Sequence, residues 1–221
     1  MIYIKKGDEP EEFRQWKKDN PNARYKHDIP SDISLILRNA LLEEQGFICC
    51  FCGCAIGPIE NNVIIQRIVK KSEPHYIRNA HITPQSVDQS RDLDYYNICA
   101  SCNTDKCRDS DHCDAKQKNR IIPITPLQED CLSYFSFNSD GTIQANKSRP
   151  LEDQKKANET IQILGLDENS LNLEREKCIQ MVMELPENKI AGALSNLAHR
   201  NENNAFAPFY FVPLSYYGVL I

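Results

Sequence analysis

Cys49 and Cys52 open a cysteine-rich run, Cys49-Cys50-Phe51-Cys52-Gly53-Cys54, and further cysteines follow at Cys99, Cys102, Cys107 and Cys113. Two thiolates three positions apart can turn onto one tetrahedral ion, and zinc prefers that ligand set and geometry. A lone C-x-x-C says little, but the downstream cysteines can supply the other half of a four-sulfur site. Spacing leaves the second pair open. Cys99-Ala100-Ser101-Cys102 is the neat answer, while Cys102 with Cys113 needs a longer excursion. Cys50 and Cys54 are then bystanders. A redox role is the rival for C-x-x-C, but it belongs beside a βαβ pattern that this sequence lacks. Cys131 and Cys178 stand apart and read as small buried apolar residues.

A second group lies between the cysteine pairs. His81 sits in Ala80-His81-Ile82-Thr83-Pro84, Asn97 follows sixteen positions later, and His112-Cys113-Asp114 closes the stretch. A histidine can take a proton from water as general base. An asparagine amide can orient it by a hydrogen bond. An acid such as Asp114 can hold a divalent ion that stabilises charge on a phosphate and its leaving oxygen. Each of these residues alone is ordinary; their order inside a cysteine frame carries the case.

The elements that must position these groups are partly legible. Phe13 and Trp16 anchor a short helix ahead of Pro21 and Pro30. Ser31 reads as a cap for a helix with an apolar face through Ile33, Leu37 and Leu41, stopped by Gly46. Val63-Ile64-Ile65, the 76–82 segment and Tyr95–Cys99 are β-prone, so His81 and Asn97 are expected on strands. Asp140-Gly141 marks a hairpin turn between 132–137 and 142–145. From about 151 the pattern is helical: one helix closes at Gly165, one is capped by Ser170 and ends before Pro186, and a third carries Ile190, Leu194 and Leu197. The tail from Phe206 is apolar enough that it must pack on the domain or on a partner.

Composition limits the function classes. The 221 residues carry 41% hydrophobic and 26% charged residues and a formal net charge of −5. That charge argues against a protein that coats nucleic acid non-specifically, because phosphate affinity comes from Lys and Arg. Arg67, Lys70, Lys71 and Arg78, opposed by Glu73 alone, form the best candidate basic strip. No apolar run approaches a membrane span. The start turns charged too soon for a signal peptide, and ten cysteines in a chain of this kind read as metal ligands in a reducing compartment. We therefore expect a cytoplasmic protein with no membrane partner.

The motif order H-I-x-P, then Asn, then C…C followed by an acid, resembles the HNH, or ββα-metal, nuclease superfamily. Leu41-Leu42-Glu43-Glu44-Gln45-Gly46 leading into Cys49, and Asp94-Tyr95-Tyr96-Asn97 leading into Ala100-Ser101-Cys102-Asn103 and His112-Cys113-Asp114, resemble one branch of it. That branch is the HNH subunit found beside an ABC-type ATPase in Septu and retron-linked antiphage operons. The resemblance implies an α+β fold, with a ββα-metal core, a four-cysteine zinc knuckle, an N-terminal helix and a helical C-terminal extension. We expect a nuclease core over 1–122 and a hairpin, helical extension and aromatic tail over 123–221.

The resemblance also assigns roles. His81 and Asn97 would be catalytic. Cys49, Cys52, Cys102 and Cys113 would hold structural zinc, with Cys99 the alternative ligand. Asp114, helped by His112, would hold catalytic Mg²⁺ or Mn²⁺. The partners implied are the ATPase, a DNA or RNA substrate and a retron reverse transcriptase complex. One departure stands out: where family members carry an acid or a second histidine before the HNH histidine, this chain has Ala80. Members also tend to show a Lys-Gly pair after the last cysteine, where this chain runs Asp114-Ala115-Lys116-Gln117-Lys118 with no glycine. A degenerate, non-catalytic zinc module that docks the ATPase is therefore the alternative.

Overall fold

The structure, a computed structural model, describes residues 1–103 and 112–219; Cys107 lies outside the described residues. The chain is a mixed α/β protein with three two-stranded antiparallel sheets and helices at both ends. Among the described residues, no helix is long and apolar enough to cross a membrane.

Helix α1 (Glu11–Asp19) places Glu11 and Glu12 in its first turn and Lys17 and Lys18 in its last, matching the helix dipole. A single turn, α2 (Tyr25–Asp28), precedes α3 (Ser31–Gln45). Ser31 is not the cap expected of it. Pro30 holds the N-cap place with its fixed extended backbone (φ −64°, ψ 152°), and Ser31 falls inside the first turn. Gly46 closes the helix at φ 62°, as its left-handed preference predicts. Leu37, Leu41 and Leu42 are fully buried on one face.

Strands β1 (Ile59–Glu60) and β2 (Val63–Ile64) pair around Asn61 and Asn62, which take φ of 49° and 64°. Two consecutive positive-φ residues are what a tight hairpin turn needs, and Asn tolerates them. Strands β3 (Arg78–His81) and β4 (Ile98–Ser101) pair with Ala80 opposite Cys99 and His81 opposite Ile98. The strand expected from Tyr95 starts three residues late. Asp94 Oδ1 accepts from Tyr96 N at 3.0 Å and folds Tyr95–Asn97 into a 3₁₀ turn, so Asn97 precedes β4. Helix α4 (Asp114–Gln117) packs against β3. Its Gln117 donates to Ile82 O at 3.2 Å, just beyond His81.

The hairpin of β5 (Phe135–Phe137) and β6 (Ile143–Ala145) turns at Asp140-Gly141. Gly141 has φ 76°, and a Cβ there would lie 2.0 Å from Asn172 O, so conformation and space both require glycine. Helices α5 (Leu151–Leu164), α6 (Asn169–Met183) and α7 (Glu187–Leu197) follow. Ser170 lies inside α6, and Glu168 takes the N-cap place expected of it. The aromatic tail folds back on its own chain. Phe209 N donates to Gly53 O at 2.9 Å, and α8 (Phe211–Tyr216) buries Phe211, Val212 and Leu214 in the common core.

Candidate active site and metal centre

The cysteines converge first. The sulfurs of Cys49, Cys52, Cys102 and Cys113 all lie within 4.8 Å of one another, and all four residues are buried. Cys49 and Cys113 sulfurs are 3.8 Å apart, and those of Cys52 and Cys102 are 3.9 Å apart. Zinc–sulfur bonds of about 2.3 Å give a regular tetrahedron edges of about 3.8 Å. The four residues can thus hold a metal such as zinc, with the longer separations, up to 4.8 Å, closing by no more than about 1 Å. Burial raises the Cys49 thiol, but hydrogen bonds from Cys102 and Cys113 outweigh it and bring the thiol well below its ordinary value. A thiolate-ready group is what a metal needs.

Local structure explains the convergence. Cys49 N donates to Cys54 O at 2.9 Å and Gly53 N to Cys49 O at 3.0 Å, curling the first pair into a knuckle. Gly53 has φ 84°, and a Cβ there would strike the Phe211 ring at 2.3 Å, so the tail seats directly on this turn. Gln45, buried at the end of α3, donates to Ala100 O at 2.8 Å and accepts from Ala100 N at 2.6 Å. That two-way clamp fixes the knuckle against β4. Cys113 N donates to Leu164 O at 2.7 Å, which ties the last ligand to the end of α5. Cys99 is not in the group; it lies beside Cys50.

His112 sits with the sulfurs. Its Nδ1 is 3.2 Å from Cys113 Sγ and 3.7 Å from Cys102 Sγ. The expected help for a divalent ion at Asp114 is therefore not its arrangement. Cys113 adopts φ 58°, and this sharp turn sends His112 and Cys113 inward while Asp114 emerges on the other side.

That other side is a cleft of about 710 Å³, lined among others by His81, Asp114, Arg78, Asn79 and Tyr25. His81 Nε2 lies 2.9 Å from Asp92 O. A carbonyl only accepts, so this shorter contact puts the proton on Nε2 and leaves Nδ1 as the acceptor, and the Gln85 amide nitrogen, 3.3 Å from Nε2, is then a neighbour and not a hydrogen-bond donor to it. Burial lowers the His81 pKa below its ordinary value, which keeps the ring neutral near pH 7. Asp92 Oδ1 stands 3.9 Å from the same nitrogen, buried and without a hydrogen-bond partner. Burial raises the Asp114 carboxyl against the opposing pull of Arg78, whose Nη1 is 3.4 Å away.

Asn97 does not line this cleft. It is fully buried and acts on the backbone: Oδ1 accepts from Thr83 N at 2.8 Å, and Nδ2 donates to Thr83 O at 3.0 Å and Arg91 O at 3.2 Å. It thereby fixes the segment leaving His81 and the segment that presents Asp92 O. The expected side-chain bond to the histidine is replaced by a brace at both ends of the His81–Asp92 contact.

Ala80 is fully buried in β3 opposite Cys99, and it offers the cleft no ligand. Among the described residues, the four cysteines are the one cluster of three or more candidate metal ligands. Asp114 thus lines the cleft with no second acid beside it among the described lining residues. The basic strip is also reassigned. Arg67 pairs with Glu60 and Glu73 and is committed to the fold.

Sequence reading missed Tyr25, Arg38 and Asp92. Tyr25 meets the His81 ring edge-on with centroids 4.7 Å apart, and its backbone N donates to Asp92 Oδ2 at 3.0 Å. These contacts span more than 50 positions and have no sequence signal.

Small sheets, a buried four-cysteine centre that could hold a metal and a histidine-bearing cleft define a mixed α/β protein. No protein-family model matches the sequence. The chain is similar to a protein of Vibrio cholerae serotype O1 biovar El Tor named "Retron Vc95 putative HNH endonuclease", at 28% identity over 160 residues, covering 71% of this chain and 69% of the relative. The HNH endonuclease family and the retron setting are the description that relative carries.

Proposed function

We propose that the chain is the HNH endonuclease subunit of an antiphage defence system of the Septu or retron-linked kind, hydrolysing phosphodiester bonds of DNA or RNA. The observation that carries this reading is a neutral His81, oriented by Asp92 O, in one cleft with Asp114. His81 takes a proton from the attacking water at Nδ1. The imidazolium that forms is balanced by the Asp92 carboxylate at 3.9 Å, whose Oδ1 has no other partner. Asn97 is a positioning residue for that pair. Asp114 would hold Mg²⁺ or Mn²⁺, which when bound supplies charge stabilisation at the phosphate and the leaving oxygen. Zinc on Cys49, Cys52, Cys102 and Cys113 would be structural, since four protein ligands leave no open position.

In this reading residues 1–122 are the nuclease core, and 123–221 the extension that buttresses the knuckle. The chain works in the cytoplasm with an ABC-type ATPase and, in a retron setting, a reverse transcriptase complex. The buried tail leaves the helices to meet the ATPase, and Leu173, Met181 and Met183 on α6 are exposed. A non-catalytic docking module is the second reading, and the buried Ala80 favours it.

The test is cleavage of labelled DNA and RNA by the purified chain with its ATPase, with Mg²⁺ or Mn²⁺ added. The nuclease reading expects strand scission that a chelator stops while zinc stays bound. Intact DNA and RNA under every metal would leave the docking module.

A further inference from the structure

Helices α2 and α3 precede the first cysteine pair, and the chemistry above uses little of them. Yet Tyr25 and Arg38 line the cleft with His81. Arg38 follows the fully buried Leu37 in α3, so core packing fixes where its side chain starts. Its Nε is buried without a hydrogen-bond partner, and no carboxylate pairs with the guanidinium among the described residues. The residue is half-buried, so the cost falls on that one shielded N–H, which has neither a protein partner nor open water. Burial accordingly lowers its pKa. Such a group is retained where a ligand brings the missing charge.

Tyr25 is half satisfied in the same sense. Its hydroxyl accepts from Asn79 Nδ2 at 2.7 Å, which leaves its own proton to donate. Lys26 and Lys118 also line the cleft, with no ion pair among the described residues, and Asp114, in contact with Arg78, is the one acid there. A chain of net charge −5 has thus gathered a local positive surplus around its histidine. A planar guanidinium fork, a hydroxyl donor and two flanking ammonium groups match the oxygens of a phosphodiester backbone.

We propose that Arg38, with Tyr25 as a second donor, grips a backbone phosphate of the nucleic-acid strand next to the bond being cut, with Lys26 and Lys118 as the electrostatic rim. The proposal rests on the nuclease reading. It assigns the segment ahead of the zinc knuckle to substrate binding, while Arg67, Lys70 and Lys71 lie outside the path.

The test is fluorescence anisotropy of labelled single-stranded DNA and RNA oligonucleotides across a salt series. The parent is the full chain carrying His81→Ala, which prevents cleavage. Adding Arg38→Gln should weaken binding about tenfold and reduce the salt slope by about one. Arg38→Lys should keep the slope and lose part of the affinity, because the fork is gone. Zinc content and circular dichroism check folding. Should Arg38→Gln misfold, the exposed Lys118→Gln takes its place, with the same fall in slope expected. No binding by the parent, or an unchanged affinity and slope in these variants, overturns the proposal. Failure of the nuclease reading shows separately, as absence of cleavage by the unmutated chain, whatever the binding result.

Discussion

Cys113 and Asp114 are neighbours in sequence, yet they belong to regions built on opposite terms. The cysteine centre is closed: four buried sulfurs face one another, and Gln45, Leu164 and the tail at Gly53 hold the surrounding backbone. The cleft is open, and its polar groups are incompletely matched. Asp92 Oδ1, Asn79 Oδ1 and Arg38 Nε are each buried without a hydrogen-bond partner. Buried polar groups are ordinarily paired, and the exceptions call for a reason. The closed region has an exception of its own, Arg175 Nε, buried within electrostatic reach of Cys52 and Cys113, so what sets the cleft apart is that a ligand can reach its unmatched groups. The positive φ at Cys113 is the hinge between the two.

The comparison breaks most readily at the cysteines. Cys102→Ser should lose the metal and lower the Tm by about 10 °C or more, because metal binding at such a site is folding free energy. Cys99→Ser should leave zinc content unchanged, as measured by atomic absorption. Loss of zinc in Cys99→Ser would put the ligand set elsewhere and dissolve the distinction. Asn97→Ala comes next. Removing a fully buried amide with three backbone partners should cost about 2–4 kcal/mol in denaturant unfolding. It should also lower cleavage in the molecules that stay folded, whereas a merely structural asparagine would lower stability alone.

Smaller effects sharpen the cleft side. Asp92→Asn keeps the backbone carbonyl that holds His81 and removes the carboxylate behind it. We expect roughly a tenfold loss in kcat with little change in KM. The pH profile gives a sign. Burial depresses the folded pKa of His81, so the ring stays neutral until the pH falls below the ordinary value of 6.5. Activity should hold through neutral pH and fall on an acid limb whose midpoint lies below 6.5. The same depression contributes stability above that pH, lost as the ring charges within the fold. A midpoint at or above 6.5 would place the catalytic proton on another group.

What the sequence disclosed follows from locality. The α3 stop at Gly46, the Asp140-Gly141 hairpin and the first cysteine pair are short-range signals, and each appears where expected. The choice between Cys99 and Cys113 was not local. Ser101 Oγ is the group on β4 that reaches Cys49 Sγ, at 3.7 Å. Cys99 lies two residues back, about 7 Å along the strand, beside Cys50. Nor could spacing show that Asn97 would grip backbone, or that Tyr25 and Arg38 would come to His81. Those depend on how α2 and α3 dock on β3. Ser31 and Ser170 failed as caps because Pro30 and Glu168 already hold the extended N-cap conformation.

On this reading the four-cysteine fold and the chemistry of the cleft are separable. The most direct measurement compares His81→Ala with the unmutated chain in one experiment, recording zinc per chain, Tm and cleavage of labelled DNA and RNA. The account predicts the same zinc content and Tm, with cleavage lower by at least about a hundredfold. Cleavage at the unmutated rate, or loss of zinc along with activity, would contradict it.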